Sequence, residues 1–524
     1  MNTEIIGVNK IAIVIGEGAL HIYNGGTLAT YNINDLKHNL RVLELLQAPG
    51  VTKIGVDVKD TIKALTIRGV AISGPFFDVN LGAKLLGQQL CFMPQASMLS
   101  FCEGLDRQAA DLDEKLTSEG MYRLFGEVEM PLVPVLAEME LRGVAIDVES
   151  LERAVSSWEG LKEGHRNECH DLASGNFNVN SFSELSRCLF TEQDLPPMGA
   201  TATGYSTDKK SLELLTKYSA LPVKVLDYRK TQAELEKALG IQKALCLDNA
   251  VHPTFYQLGA GTGRMSCKNP NMHSMPEEAR KFFIPRPGFV FLYADFSQVQ
   301  SRILAHLSGD KKYRELFQSG GDIHRLMASQ IFELPMDEVK EPERTAAKKI
   351  VHGITNNEGA ARIASDLKIK KETAQGYIDQ FFRSFPGIVP YKLQAMAELR
   401  DRGYVESIMG RRSYYPMSEI HSPDRSQQSR IERSAFISIL QMSEADIMKS
   451  AILAADADPV LTSLGARMLL SVHDSLLVEV HDEHKHEAAS RLKDIMEGVV
   501  ELSVPVRVGV EWGFDWGALE KMNL

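Results

Sequence analysis

Residues 288–301, GFVFLYADFSQVQS, and residues 468–480, MLLSVHDSLLVEV, carry the reading from which the fold follows. In the first, a short apolar run after Pro287 ends at Asp295, and a helix is predicted from Ser297. Such a run, bounded by a turn signal, reads as a buried strand. In the second, two apolar runs flank His473-Asp474-Ser475, a hairpin by pattern with Asp474 at its tip. Each segment therefore ends a buried strand on a carboxylate. A lone aspartate at such a place is ordinarily a turn or helix-cap residue. Two of them suit the clamp that nucleotidyl transfer requires, a site for two divalent cations about 3.5–4 Å apart. Magnesium is the natural occupant, because it takes one or two carboxylates and completes its shell with substrate phosphates and water.

Between these segments lies RTAAKKIVHGITN (344–356), in which Arg344, Lys348, His352 and Asn356 recur every four residues. On a helix they form one slowly winding stripe, about 18 Å long at 1.5 Å per residue. Arginine offers phosphate a fork and lysine a point charge, while a histidine ring can stack on a sugar or base. A solvated basic face is the ordinary meaning of an isolated R-x-x-x-K. Gly353 is odd on such a face, since it costs a helix roughly 1 kcal/mol.

Farther out, the first hundred residues read as mixed α/β, with strands at Lys10–Ile15 and Lys53–Val58, a helix at Thr61–Arg68 and a turn at Gly74-Pro75. Residues 106–139 are helical by period, kinked or split by the prolines of EVEMPLVPVLAE (127–138). Residues 146–250 are helical and polar, with Asn180 or Ser181 capping a helix from Phe182, a break at Gly204–Thr207 and a long charged helix over Tyr228–Leu247. Helices dominate residues 309–402, and a helix (Glu487–Val499) and a strand (Val504–Val510) close the chain.

At 524 residues the chain calls for two to four domains. Its start, MNTEIIGVNK, has no signal-peptide pattern, and no apolar run is long enough to span a bilayer. Six scattered cysteines without a C-x-x-C pair argue against zinc and disulfides, and fit reduced thiols in the cytoplasm. The net charge of −11 speaks against a nucleic-acid partner only globally, because Lys209-Lys210, Arg344 to Lys349 and Arg411-Arg412 are local basic clusters.

The motifs resemble family A DNA polymerases, the bacterial DNA polymerase I type. DFSQVQSRILAHLSGD (295–310), RTAAKKIVHG (344–353) and SVHDSLLVEV (471–480) resemble that family's motifs A, B and C. EMPLVPVLAEMELRGVAID (129–147), TGRMSCKNPNMHSMP (262–276), GDIHRLMASQIF (321–332) and RSAFISILQMSEADIMKSAI (433–452) agree too, in the family's order from about Val128 to the end. The resemblance implies an α/β (α+β) right-hand fold: a connecting helix and thumb at 119–255, palm at 256–310 and 425–524, and fingers at 311–424. It assigns Asp295 and Asp474 to two magnesium ions, with manganese as a substitute, and counts Lys348 among the catalytic residues. It assigns Arg344, Lys348, His352, Asn356, Gln300 and His324 to the dNTP, and Arg264, Arg433, Gln441 and His473 to primer-template DNA. A monomer is expected, encoded by a phage and acting in the host cytoplasm in DNA replication or repair.

Five positions depart from the family pattern. Gln300 and Ser475 stand where Glu is usual, His352 where Phe or Tyr is, Asn356 for Tyr and Asn357 for Gly. The resemblance makes residue 300 a sugar gate. Amides at 300 and 356 bonding each other would rebuild a neutral gate able to donate to a 2′-hydroxyl, so weaker discrimination against ribonucleotides is expected. Residues 1–118 resemble a shortened RNase H-like 3′–5′ exonuclease domain, through KIGVDVKDTIKALTIRGVAI (53–72) and FFDVNLGAKLLG (76–87). That chemistry needs four clustered carboxylates, yet the first strand offers only Glu17, and Thr61 falls where an Asp is expected, with Asp57 and Asp60 nearby. No proofreading and no 5′-nuclease domain are expected. Broader template use, including reverse transcription, and a silent DNA-binding scaffold are the two alternatives.

Overall fold

The computed structural model describes residues 9–90, 97–173, 175–201 and 204–524, so Cys91 and the first eight residues lie outside the described part. The amino-terminal unit is a five-stranded sheet whose central strand, Lys10–Gly16, pairs antiparallel with Ala19–Asn24 and parallel with Thr52–Gly55. Ile11 and Ile13 face one core, while Ala12 and Ile54 face another under the helix Met98–Ser118. This is the alternation of a sheet covered on both sides. The second expected strand stops at Gly55 because Asp57 turns left-handed (φ 49°) and the helix already begins at Val58.

The prolines do not split the next helix. Pro131 sits in the first turn of Met130–Arg142, where its missing N–H is harmless, and Pro134 lies within the helix. The irregularity falls just ahead, in a π-turn over Phe125–Glu129. Two long helices, Val148–Ala173 and Leu221–Ala244, then pack along one another. The second begins at Leu221 rather than Tyr228, with Pro222 in its first turn. At their tip Ser181 caps Phe182–Arg187, accepting from the Glu184 N–H, and Asp208 caps Lys209–Leu215.

The central unit is an antiparallel sheet in the order Arg467–Val472, Ser475–His481, Phe289–Phe296, Val508–Gly513, Glu520–Lys521. The helix after Phe289–Phe296 starts at Val299, later than expected, because Gln298 is left-handed (φ 57°). The closing strand also starts late. Pro505 cannot donate to a ladder, and the Val508 N–H is taken by Glu497. The helices Arg425–Asp456 and Lys485–Gly498 back the sheet. A helical layer over residues 311–402 includes Ile323–Phe332, Glu341–Thr355 and Ala360–Leu367, has Tyr313 stacked on Phe385 at 4.3 Å, and shares one buried cluster with the sheet. This is the three-part layout that the resemblance implies.

Buried charges fix the 32-residue helix Arg425–Asp456 in place. Arg411 donates to Asp446 at 2.6 Å and to Glu129, and Lys449 donates to Glu129 at 2.7 Å. Gln257 and Ser407 complete the network. The Arg411-Arg412 cluster is therefore structural, since Arg412 is also paired, with Glu119 at 2.6 Å and Glu406 at 2.9 Å. Removing one partner strands buried opposite charge, so Arg411→Ala should destabilise the protein by about 3–5 kcal/mol in a denaturant titration. A midpoint within experimental scatter of the parent would contradict this.

The five described cysteines are all free. Among the described residues, no helix is long and apolar enough to cross a membrane.

Candidate active site

Asp295 and Ser475 are Cα partners on neighbouring strands, so the hairpin tip carries Asp474 beside the end of the Phe289–Phe296 strand. The tip turns through His473, which is left-handed (φ 58°), and the Asp474 carbonyl accepts the Phe296 N–H at 3.1 Å. The Ser475 hydroxyl donates to Asp295 at 2.7 Å. Serine at this departure from the family pattern thus holds one carboxylate of the site.

The two aspartates sit on adjoining strands, and neither forms an ion pair among the described residues. Burial pushes the Asp474 carboxyl up to about 7, and the Asp295 charge pushes in the same direction, followed by Glu444. Burial likewise raises Asp295, with Glu511 and Glu444 adding to it and Ser475 and Lys348 opposing. Two partly desolvated carboxylates, one of them raising the pKa of the other, are the donor set a divalent cation relieves. Asp295 and Asp474 are the residues that could hold such ions. Among the described residues no group of three or more His, Cys, Asp or Glu side chains could by itself hold a metal ion, and magnesium ordinarily completes its shell with substrate oxygens and water.

Both aspartates open on a cleft of about 1020 Å³. Its opposite wall is the helix Glu341–Thr355, from which Arg344, Lys348 and His352 face the cleft, with Asn356 as C-cap. Gly353, on the other side, is where this helix meets its neighbour: a Cβ there would lie 2.9 Å from Ile363. Asn357 takes the left-handed conformation (φ 52°) that Gly or Asn tolerates, and accepts from Lys392 at 2.7 Å.

Arg344 is oriented by Asp322, which accepts its Nε–H at 2.7 Å and also caps the helix Ile323–Phe332. That bond, more than anything else, raises the Arg344 pKa. Burial opposes the charge on Asp322, but Arg344 and the His324 N–H outweigh it and hold the carboxyl below its usual range. Burial brings His324 down to about 4, so it is neutral near pH 7. His352 is also lowered, by burial first and then by Lys348.

Of the residues singled out from sequence, Asp295, Asp474, Lys348, Arg344, His352, Asn356, Gln300, His324, Arg264, Gln441 and His473 all line this cleft. Arg433 does not. It lies on an exposed stretch of Arg425–Asp456, nearer the amino end than Gln441. The expected amide pair is not formed: the Gln300 amide donates to Glu444, at 3.3 Å and 3.2 Å to its two oxygens, and not to Asn356. The carboxylate is the stronger acceptor, so it takes the donor. Glu444 also accepts from Arg264. Glu444, Asp322 and Glu511 are the site residues that sequence reasoning missed. Glu444 carried a signal, since it follows Gln441 by three residues and so shares its helix face.

A family model described as DNA polymerase family A matches residues 148–518. A thermostable DNA polymerase I of Thermus filiformis is 38% identical over 417 residues, which is 76% of this chain and 49% of that protein. A DNA polymerase I of Treponema pallidum is 34% identical over 412 residues, 77% of this chain and 41% of that protein. The chain thus spans about half the length of the curated relatives it matches. Among solved structures, the POL domain of Pol1 from M. smegmatis, in complex with DNA primer-template and dNTP, superposes with a TM-score of 0.90 at 28% identity, covering 97% of this chain and 95% of that one.

Proposed function

Because the chain belongs to DNA polymerase family A, we propose that it is a template-directed DNA polymerase that adds dNTPs to a primer 3′ end. The observation that carries this is the meeting of Asp295 and Asp474 on adjoining strands, across one cleft from Arg344 and Lys348. The two magnesium ions, for which manganese can stand in, activate the primer hydroxyl and neutralise the triphosphate when bound. The protein supplies position. Asp295 and Asp474 present carboxylate oxygens from a rigid sheet. Arg344, braced by Asp322, forks onto phosphate oxygens, while Lys348 places a point charge on the same group. His352 and Asn356 meet the sugar and base. Arg264, Gln441 and His473 meet the template-primer on the sheet side of the cleft, and Arg433 follows the duplex outside it. Neutral His324 packs behind the triphosphate.

The units are assigned as a connecting helix and thumb at 119–255, palm at 256–310 and 425–524, and fingers at 311–424, in a monomer working in the cytoplasm. Primer extension on a DNA template tests the proposal: magnesium-dependent products are expected, and none would favour a silent DNA-binding scaffold. Extension on an RNA template as efficient as on DNA would shift the reading toward reverse transcription.

The amino-terminal unit, 1–118, is proposed to be structural. Asp78 is buried and committed to the Val58, Asn80 and Leu81 N–H groups, Asp60 pairs with Lys63, and Glu17 sits in the turn after the first strand. Asp57 lies near Asp78 and accepts from the Asn80 side chain, but among the described residues no group of three or more His, Cys, Asp or Glu side chains could hold a metal ion. Labelled single strands with magnesium should keep their 3′ ends; prompt degradation that survives loss of Asp295 would contradict this. Sugar choice is assigned to Gln300, whose amide is turned toward Glu444 and not toward Asn356.

A further inference from the structure

Gln300, on the helix Val299–Ser308, and Glu444, on Arg425–Asp456, face one another in the cleft wall. A carboxylate accepts and cannot donate, so the Gln300 NH2 must be the end turned toward Glu444, and its carbonyl oxygen is turned away. The Glu444 side chain is only 4% exposed, and its remaining partner is the Arg264 guanidinium. Gln300 cannot swing aside without leaving that buried charge short of donors, which the fold resists.

The position of the pair matters. A nucleotide whose phosphates meet Lys348 would put its sugar one step farther along the same helix stripe, at His352. His352, Gln300 and Glu444 all line this cleft. The sugar then lies against the wall that Gln300 and Glu444 build.

We propose that Glu444 is a positioning residue for sugar selection: by pinning the Gln300 side chain it makes the wall beside the sugar rigid, which excludes the added volume of a 2′-hydroxyl. A 2′-hydroxyl brings extra volume, and a Gln300 side chain held by a buried carboxylate does not move aside to make room for it. The wild-type protein therefore discriminates strongly for dNTP. This inference rests on the polymerase reading.

The test is single-nucleotide insertion, with kcat/KM measured for a dNTP and its matching rNTP. Glu444→Ala frees the amide, and the rNTP/dNTP ratio should rise about tenfold or more, the scale of losing one well-placed contact in a specificity pocket. Glu444→Asp keeps the charge beside Arg264 but withdraws it by one methylene, so it should raise the ratio too, and it decides the matter if Glu444→Ala fails to fold. The exchanged pair, Gln300→Glu with Glu444→Gln, swaps amide and carboxylate and should bring the ratio back toward the parent's. Ratios unmoved in both Glu444→Ala and Glu444→Asp would overturn the role of Glu444 alone. Absence of dNTP insertion by the parent protein would instead overturn the polymerase reading.

Discussion

Asp474→Asn should lower the rate of primer extension by about three orders of magnitude, roughly 4 kcal/mol of transition-state stabilisation, without unfolding the protein. The amide keeps the volume of the carboxylate but gives up its charge, the property that attracts a divalent cation. Stability should move in the opposite direction. In the metal-free protein, burial and Asp295 hold the Asp474 carboxyl up at about 7, whereas in the unfolded chain it titrates near 3.9. Between those values the folded state keeps a proton that the unfolded state has released, so stability falls as pH rises through the window. At about 1.4 kcal/mol per pH unit the ceiling on that loss is about 4 kcal/mol, shared with Asp295. Metal-free Asp474→Asn should therefore melt above the parent at pH 8 and with the parent at pH 4. Magnesium should raise the melting temperature of the parent more than that of the variant. A variant that retains full extension, or that melts below the parent at pH 8, would contradict the placement of Asp474.

Lys348→Ala should cost about 100- to 1000-fold in kcat, with a smaller change in KM for dNTP, as expected when a cation acts mainly on charge that develops during transfer. Lys348 faces the cleft, opposite Asp295, and its charge lowers the Asp295 pKa. Arg344→Ala should weigh more on KM, because Arg344 is already tied to Asp322 and meets the triphosphate as a fixed fork in ground state and transition state alike. Single-turnover insertion over a dNTP series separates the two. Equal effects of both variants on KM alone would contradict the assignment of Lys348 to the reacting phosphate.

The residues visible in advance were those carried by a local period. Asp295 and Asp474 ended apolar runs, and both lie where strands meet. The stripe Arg344, Lys348, His352 and Asn356 followed the helical repeat, and all four line the cleft. Element ends were less legible, because single left-handed residues decide them: Asp57 starts a helix early and Gln298 starts one late. Tertiary pairing was hidden altogether. Gln300 looked like a lost carboxylate, but it faces a carboxylate 144 residues away, Glu444, on a helix so widely buried that no polar face stands out. Asp322 was hidden in the same way. Its capping role is local, but its hold on Arg344 depends on how two helices pack.

The most direct measurement is a crystal structure of the protein with primer-template, a non-reacting dNTP analogue and manganese, with the anomalous signal used to locate the ions. The account predicts two anomalous peaks about 3.5–4 Å apart between the Asp295 and Asp474 carboxylates, with the triphosphate running from them to Lys348 and Arg344. Ions bound elsewhere in the cleft, with either carboxylate left without one, would contradict it.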